Sequence, residues 1–200
     1  YLEESLQNKF SNLHIIRLPS VFGKGLKKNF IFDILNQAPS FFSKEKFSQL
    51  QDEFSSHMRN LLDFYFYDKK KELFFLNRKL LNSSGKKNLL ENCLNECRSS
   101  SIFFHSSEST YQFYNLKNLW RDISNVIMHN IPVIHLVNEP LKTKDIYRKL
   151  LSSEMPKTNA KLHHENMITK FSDIWDSRLP FIETKEKILN ELNDFYQITK

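Results

Sequence analysis

The chain has 200 residues, of which 40% are hydrophobic and 18 are phenylalanine, so it can bury a core as one domain or two small ones. Lys and Arg outnumber Asp and Glu by 29 to 23, a net charge of +6 that permits an anionic partner without establishing one. Only 3 residues are glycine, which argues against a complete dinucleotide-binding domain, because such domains need glycine in several tight turns.

The first strong pattern is a buried strand that opens into a glycine loop. Residues 13–18 form an apolar run that ends at Pro19, and a basic loop containing Gly23 then leads into a predicted helix over 28–37. The ends of such strands are where open α/β sheets bind ligands. The loop is not a complete G-x-G-x-x-G fingerprint, because Lys28 stands where the third glycine is needed.

The middle of the chain, 38–104, has a different pattern. Apolar residues recur there at steps of three and four, which predicts helices in three stretches, 47–65, 73–81 and 89–97. We therefore expect 38–104 to be an all-helical insertion. Cys93 and Cys97 lie four residues apart in this pattern, and we expect them to be reduced core residues of a cytoplasmic protein.

Strands and helices alternate again after residue 104. A strand over 111–115 is predicted to enter a helix that Asn115 caps, and 132–137 reads as the next buried strand, with His135 as a partnered core histidine. Thr143 is expected to cap a helix over 144–151. Apolar residues at helical spacing predict a closing helix over 184–196.

Several of these segments, in this order, resemble one known family. Arg17-Leu-Pro-Ser-Val-Phe-Gly23 resembles a landmark of the extended short-chain dehydrogenase/reductases, the NAD-dependent epimerase/dehydratase family of nucleotide-sugar enzymes. Residues 1–11 resemble the second half of that family's catalytic helix, and 109–120 resemble its R-D-F-x-x-V-x-D-L segment. The resemblance covers 1–37 and 105–200.

The resemblance implies an α/β fold, the C-terminal part of a Rossmann-like extended short-chain dehydrogenase/reductase with a helical insertion. Residues 1–37 would be the last part of the cofactor domain and the start of the substrate region, and 105–200 the C-terminal substrate-binding region. The family's glycine loop and its catalytic Tyr and Lys would lie upstream of Tyr1, in a missing N-terminal cofactor domain. We therefore expect the chain itself to be inactive and to bind neither NAD nor NADP tightly.

The family's contacts carry over onto two groups of residues in this sequence. The resemblance implies cofactor contacts from the end of the first strand, at Leu18, Pro19, Ser20 and Val21. It implies contacts with a sugar or nucleotide sugar from Lys27, Lys28, Asn29, Phe30, Tyr111 and Gln112. The two lysines either attract a diphosphate or form a solvated basic turn. Tyr111 and Gln112 stand where the family often has Arg and Asp, and they cannot supply the arginine's charge.

Other motifs are weaker. Three Y-x-x-x-K matches follow the Arg17–Gly23 landmark, the wrong order for the family's catalytic pair, and we treat them as chance: Tyr65/Lys69, Tyr67/Lys71 and Tyr196/Lys200. His163-His164-Glu165 begins like a zinc-protease motif but has Ile168 in place of the second histidine, so no metal is expected.

Two further function classes stay open. The chain can instead be a non-catalytic binding or interaction module on an epimerase-like scaffold, since fold does not imply function. Nucleic-acid binding is disfavoured, because the aromatic residues fall at core spacing rather than between basic residues.

No membrane partner is expected, since no apolar run approaches the roughly 20 residues of a spanning helix. A homodimer remains open.

Overall fold

The computed structural model describes residues 2–200 and shows a mixed α/β chain. The chain divides into two compact units. The first unit comprises the residues up to 29 together with 107–155 and 162–200, and the second comprises 30–106 and 156–161.

The described helices are α1 (Leu2–Gln7), α2 (Phe30–Leu35), α3 (Lys44–Glu53), α4 (Arg78–Ser83), α5 (Lys87–Glu96), α6 (Leu119–Met128), α7 (Thr143–Leu151) and α8 (Lys185–Thr199). The strands are β1 (Ile15–Arg17), β2 (Ser20–Phe22), β3 (Phe41–Ser43), β4 (Tyr65–Asp68), β5 (Leu73–Leu76), β6 (Thr110–Tyr111), β7 (Phe113–Asn115), β8 (Val133–His135) and β9 (Leu141–Lys142). Short 3₁₀ turns cover Arg59–Phe64, Ser101–Phe104, Leu116–Asn118 and Ser172–Trp175.

The first unit is built on short parallel strand pairs. β1 pairs with β8, with Ile16 opposite Ile134, and β2 pairs with β7, with Val21 opposite Tyr114. β6 and β9 form an antiparallel pair. The predicted strands at 13–18 and 132–137 are therefore confirmed in shortened form as β1 and β8. β2, directly after Pro19, is a separate strand that the sequence did not indicate.

Helix ends in the first unit test the predicted caps. Asn115 accepts a hydrogen bond from the backbone of Lys117 at 3.0 Å, so it caps the 3₁₀ turn Leu116–Asn118 that leads into α6 and not α6 itself. Thr184 accepts a hydrogen bond from the backbone of Lys187 at 3.4 Å and caps α8, a cap that the sequence did not indicate. The cap at Thr143 is wrong, because this residue is already the first residue of α7. Its hydroxyl instead donates to the backbone oxygen of Ser109 at 3.2 Å, which ties α7 to the segment before β6.

Two further expectations concern the helix at the beginning of the chain and His135 on β8. The helix expected within residues 1–11 is observed as α1, and Tyr1 lies outside the described residues. The Nε2 of His135 lies 2.8 Å from Nη1 of Arg17 on the neighbouring strand, so the histidine is partnered as expected, but it is half-buried and not a core residue. Among residues 2–200 no helix combines the length and the apolar character that crossing a membrane requires.

The second unit is not all-helical, which corrects the prediction for 38–104. Its helices α3, α4 and α5 are present, but β3, β5 and β4 form a three-stranded antiparallel sheet in that order. The prediction failed because Tyr65, at the end of the helix predicted over 47–65, begins strand β4, and 73–76, the first half of the helix predicted over 73–81, is strand β5. Tyr65 and Tyr67 face one side of the sheet and Phe66 the other, a period of two that favours a strand, as aromatic side chains do.

The inner face of this sheet packs against the helices. Phe74 stacks on Phe47 of α3 with ring centroids 3.7 Å apart, and Phe42 lies 5.0 Å from the ring of Tyr65. The core is completed by buried side chains of the helices and turns, Leu50, Phe54, Leu61, Leu62, Leu81, Leu90 and Leu94. Cys93 and Cys97 are free thiols packed at the edge of this core, and burial raises the pKa of both.

Candidate functional site

The end of β2 opens into a cavity of about 360 Å³ in the first unit. Residues 19 to 29 line this cavity together with Leu116, and the cavity is open to solvent on one side. The cavity is therefore lined by most of the residues for which the family resemblance implied cofactor or substrate contacts, Pro19, Ser20, Val21, Lys27, Lys28 and Asn29. Leu18, the remaining cofactor candidate, is half-buried and packs against the core beneath the loop.

Glycine gives this loop its shape. The backbone N–H of Leu26 donates to the oxygen of Gly23 at 3.2 Å and closes a turn. A Cβ on Gly23 would lie 3.2 Å from the Cβ of Leu116, so only glycine lets the loop approach this side chain without displacing it. Gly25 faces open space but has φ +87°, a conformation that L-amino acids rarely adopt.

Asn29 anchors the far end of the loop. Its backbone has φ 107°, a strained value for any residue other than glycine. Its Nδ2 donates to the backbone oxygen of Val21 at 2.9 Å, which ties the end of the loop to the middle of β2. The bond joins a residue assigned to the substrate with one assigned to the cofactor.

The rim of the cavity is positively charged. Lys24, Lys27 and Lys28 are exposed, and none of them forms an ion pair with a carboxylate within residues 2–200. Three uncompensated ammonium groups on one short loop produce a local positive potential that attracts anions. The following helix α2 has only 6 residues, so the lysines rather than a helix dipole supply this potential.

Phe30 and Tyr111 lie elsewhere. Phe30 begins α2 in the second unit and is 2% exposed, with its ring 4.8 Å from that of His105. Tyr111 lies on β6 in the first unit, where its ring stacks at 5.2 Å on the ring of His163. Neither residue lines the cavity at the end of β2.

Gln112 has a structural role in this fold. Its side chain is fully buried, and its Nε2 donates to the backbone oxygens of Asn138 and Met167, each at 2.8 Å. Its Oε1 accepts from the backbone N–H of Met167 at 2.7 Å. Since the amide already makes these three bonds, it holds the chain segments around β7 together and offers a substrate no free donor. Substrate binding by the Gln112 side chain does not fit this arrangement.

A second cavity of about 510 Å³ shares Gly23, Lys24 and Leu116 with the first. Glu191 of α8 lines it, and its Oε2 accepts a hydrogen bond from Nδ2 of Asn115 at 2.8 Å. Sequence reasoning missed Glu191 and Leu116, because both reach the loop from distant parts of the chain. The one available signal was the spacing of Glu191, Asp194 and Ile198 along a single face of the closing helix.

The weaker motifs do not assemble into reactive groups. Tyr65 lies on a strand, its hydroxyl donates to the backbone oxygen of Pro39 at 2.9 Å, and burial raises its pKa, which opposes proton transfer near neutral pH. The Nε2 of His163 lies 3.3 Å from Oε1 of Glu165, in a segment next to β6. In the part of the chain from Leu2 onward, no group of three His, Cys, Asp or Glu side chains is arranged to hold a metal ion.

Comparison with protein-family models, with curated proteins and with solved structures finds no match to this chain. Any assignment of function therefore depends on the residues and geometry of the chain itself.

Proposed function

We propose that this chain is the substrate-binding part of an NAD(P)-dependent epimerase/dehydratase-like protein that acts on a sugar or nucleotide sugar. One cavity collects Pro19, Ser20 and Val21, assigned to the cofactor, and Lys27, Lys28 and Asn29, assigned to the substrate. The proposal depends mainly on this observation, that residues assigned to the cofactor and residues assigned to the substrate line the same cavity. The parallel pairing of β1 with β8 and of β2 with β7 supports it, because parallel strands with a ligand loop at their ends are typical of α/β enzymes.

The residues present fit one side of a nicotinamide ring. Pro19, Ser20 and Val21 are half-buried and line the cavity, so they can form a wall that excludes water from one face of the ring. Pro19, Ser20 and Val21 would hold one side of the nicotinamide, which would supply a hydride acceptor for oxidation at a ring carbon of the sugar. Lys27 and Lys28 attract the diphosphate of the substrate, and Asn29 fixes the loop that presents them.

The chain does not carry the remaining parts of such a site. It has no G-x-x-G-x-x-G turn to bind the cofactor pyrophosphate, and its Y-x-x-x-K matches follow the Arg17–Gly23 segment. In this proposal a dinucleotide-binding domain supplies both, and the 200 residues alone are catalytically silent. The two free cysteines, Cys93 and Cys97, favour a reducing compartment such as the cytoplasm.

Calorimetry with the 200-residue chain tests the proposal. We expect UDP-glucose, dTDP-glucose or GDP-mannose to bind weakly, at millimolar concentration, and NAD and NADP to show no tight binding. Lys27→Ala/Lys28→Ala is expected to abolish the nucleotide-sugar signal, whereas Lys149→Ala/Lys161→Ala, which removes two exposed lysines elsewhere, is expected to preserve it. Micromolar affinity for NAD or NADP would contradict the division between the chain and a separate cofactor domain.

A non-catalytic binding module on the same scaffold is the second candidate. The observation that favours it is the absence of a cation at positions 111 and 112, together with the full use of the Gln112 amide within the fold. A chain that is folded by circular dichroism but binds none of the three nucleotide sugars would support this candidate and contradict the enzyme.

A further inference from the structure

The outer face of the sheet in the second unit carries a row of three phenylalanines. Phe41 of β3 and Phe66 of β4 both lie opposite Phe75 of β5, so the three side chains point to the same side of the sheet. Adjacent ring centroids are 5.9 Å and 6.2 Å apart. Phe41 is 53% exposed and Phe66 is 54% exposed, so this aromatic row is a surface rather than part of the core.

A lysine turn adjoins the aromatic row. Lys69, Lys70 and Lys71 are exposed in the connection between β4 and β5, and the ammonium of Lys71 lies 4.8 Å from the centroid of Phe75. Lys71 and Phe75 therefore form a cation–π contact, which joins the lysine turn and the aromatic row into one continuous surface.

The two acidic residues that flank this turn, Asp68 and Glu72, form no ion pair with its lysine side chains within the described residues. Oδ1 of Asp68 accepts hydrogen bonds from the backbone N–H groups of Lys70 and Lys71, at 2.8 and 3.2 Å, and so shapes the turn. Oε1 of Glu72 lies 3.3 Å from the ammonium of Lys44. The turn therefore presents its lysines to solvent without pairing them to its own carboxylates.

We propose that the aromatic row and the lysine turn form a binding surface for single-stranded nucleic acid. The two exposed rings, Phe41 and Phe66, can each stack on one unpaired base, while Phe75 between them holds Lys71, and the lysines can contact the phosphates. The inference goes beyond the proposed function and uses only residues of the second unit. It also corrects the expectation that the aromatic residues fall at core spacing. Along a strand every second side chain points outward, and this period of two is not visible in a pattern of steps of three and four.

Other anionic partners fit less well. Membrane surfaces are recognised mainly by amphipathic helices that bury an apolar face in the headgroup region, whereas this row lies across a sheet face. An acidic peptide would satisfy the lysines but would leave the two exposed rings, Phe41 and Phe66, without a specific partner. Single-stranded nucleic acid can contact both parts of the surface, because its unpaired bases stack on aromatic rings and its phosphates contact lysines.

Fluorescence anisotropy with the full chain tests the proposal. The probes are labelled poly-thymidine and poly-uridine strands, a duplex of the same length, and vesicles with and without phosphatidylserine. We expect the single strands to bind more tightly than the duplex. Phe41→Leu/Phe66→Leu/Phe75→Leu, which keeps apolar bulk but removes the ring faces, is expected to weaken single-strand binding about tenfold or more. Replacing the three lysines by alanine is expected to lower the salt slope by about 0.7 per lysine.

Matched controls separate stacking from loss of structure. Phe104→Leu removes a ring of the second unit that is 60% exposed but lies outside the row, and it is expected to leave binding unchanged. If the triple leucine variant fails to fold by circular dichroism, Phe66→Leu alone on the edge strand β4 replaces it. Absence of single-strand binding, equal binding of duplex, equal loss in Phe104→Leu, or binding to anionic vesicles alone would each overturn the proposal.

Discussion

The hydroxyl of Tyr114 donates to Oδ2 of Asp122 at 2.6 Å, inside the core of the first unit. The Asp122 side chain is fully buried, and its other oxygen accepts from Nε1 of Trp175 at 2.9 Å and from Nε of Arg121 at 2.8 Å. Burial, reinforced by the bond to Asp122, raises the pKa of Tyr114. One carboxylate thus joins β7, α6 and the turn at 172–175.

Removing this carboxylate is expected to destabilise the first unit. Asp122→Ala leaves the donors of Tyr114 and Trp175 without their acceptor in a buried site, and we expect the free energy of unfolding to fall by about 3 kcal/mol. Urea unfolding followed by tryptophan fluorescence measures this. Asp194→Ala, which removes an exposed carboxylate of α8, is the control and is expected to change stability by about 0.5 kcal/mol or less. Equal effects of the two substitutions would contradict a structural role for the buried network.

The contact between Gly23 and Leu116 predicts a coupled pair of substitutions. Gly23→Ala places a Cβ 3.2 Å from the Cβ of Leu116, at φ +153°, and is expected to reduce stability by about 1–2 kcal/mol. Leu116→Ala would keep this Cβ, whereas Leu116→Gly removes it, so the double variant Gly23→Ala/Leu116→Gly is expected to lose less than the sum of the single losses, by at least about 0.5 kcal/mol. Gly25→Ala is the control, since it strains the backbone in open space and is expected to be additive with Leu116→Gly.

Glu91 predicts a pH dependence in the second unit. Burial is the main cause that raises the pKa of this carboxyl above its ordinary value of 4.5, against the opposing effects of Lys87 and Arg78. The native state then holds the proton more tightly than the unfolded state, so this residue's contribution to stability is lost as the pH rises from 4.5 through the raised pKa.

Glu91→Gln, which cannot ionise, isolates this contribution. The variant is expected to gain stability relative to the unchanged chain as the pH rises from mildly acidic to neutral. Denaturant unfolding at several pH values measures the difference, with Glu186→Gln on the exposed surface of α8 as the control. A relative loss of stability over the same range would show that Lys87 and Arg78 outweigh burial.

Local patterns in the sequence determined much of the first unit. Short apolar runs bounded by turns predicted β1 and β8, apolar residues at helical spacing predicted α8, and Asn115 was recognisable as a side chain that can bond to a backbone N–H two residues away. The sheet of the second unit was not predictable in the same way. The pairing of Phe41 with Phe75 joins residues far apart in the chain, and tertiary packing decided between the periods of two and of three to four around Tyr65.

The candidate site was predictable only where it is contiguous in sequence. The loop over 19–29 supplies most of the cavity, so motif reading found it. Leu116 and Glu191 come from other elements, and apart from the helical spacing of Glu191, Asp194 and Ile198 no local pattern indicates that they lie near the loop. Gln112 was assigned to the substrate by its position in a motif, whereas its contacts with Asn138 and Met167 depend on how distant segments pack.

Residue-resolved NMR of the ¹⁵N-labelled chain, titrated with UDP-glucose, is the most direct measurement of the central claim. We expect the largest amide shifts at residues 20–29 and Leu116, with little change at β6, and we expect Lys27→Ala/Lys28→Ala to remove them. Shifts centred on any other region, or no shifts at millimolar ligand in a folded chain, would contradict a nucleotide-sugar site at the end of β2.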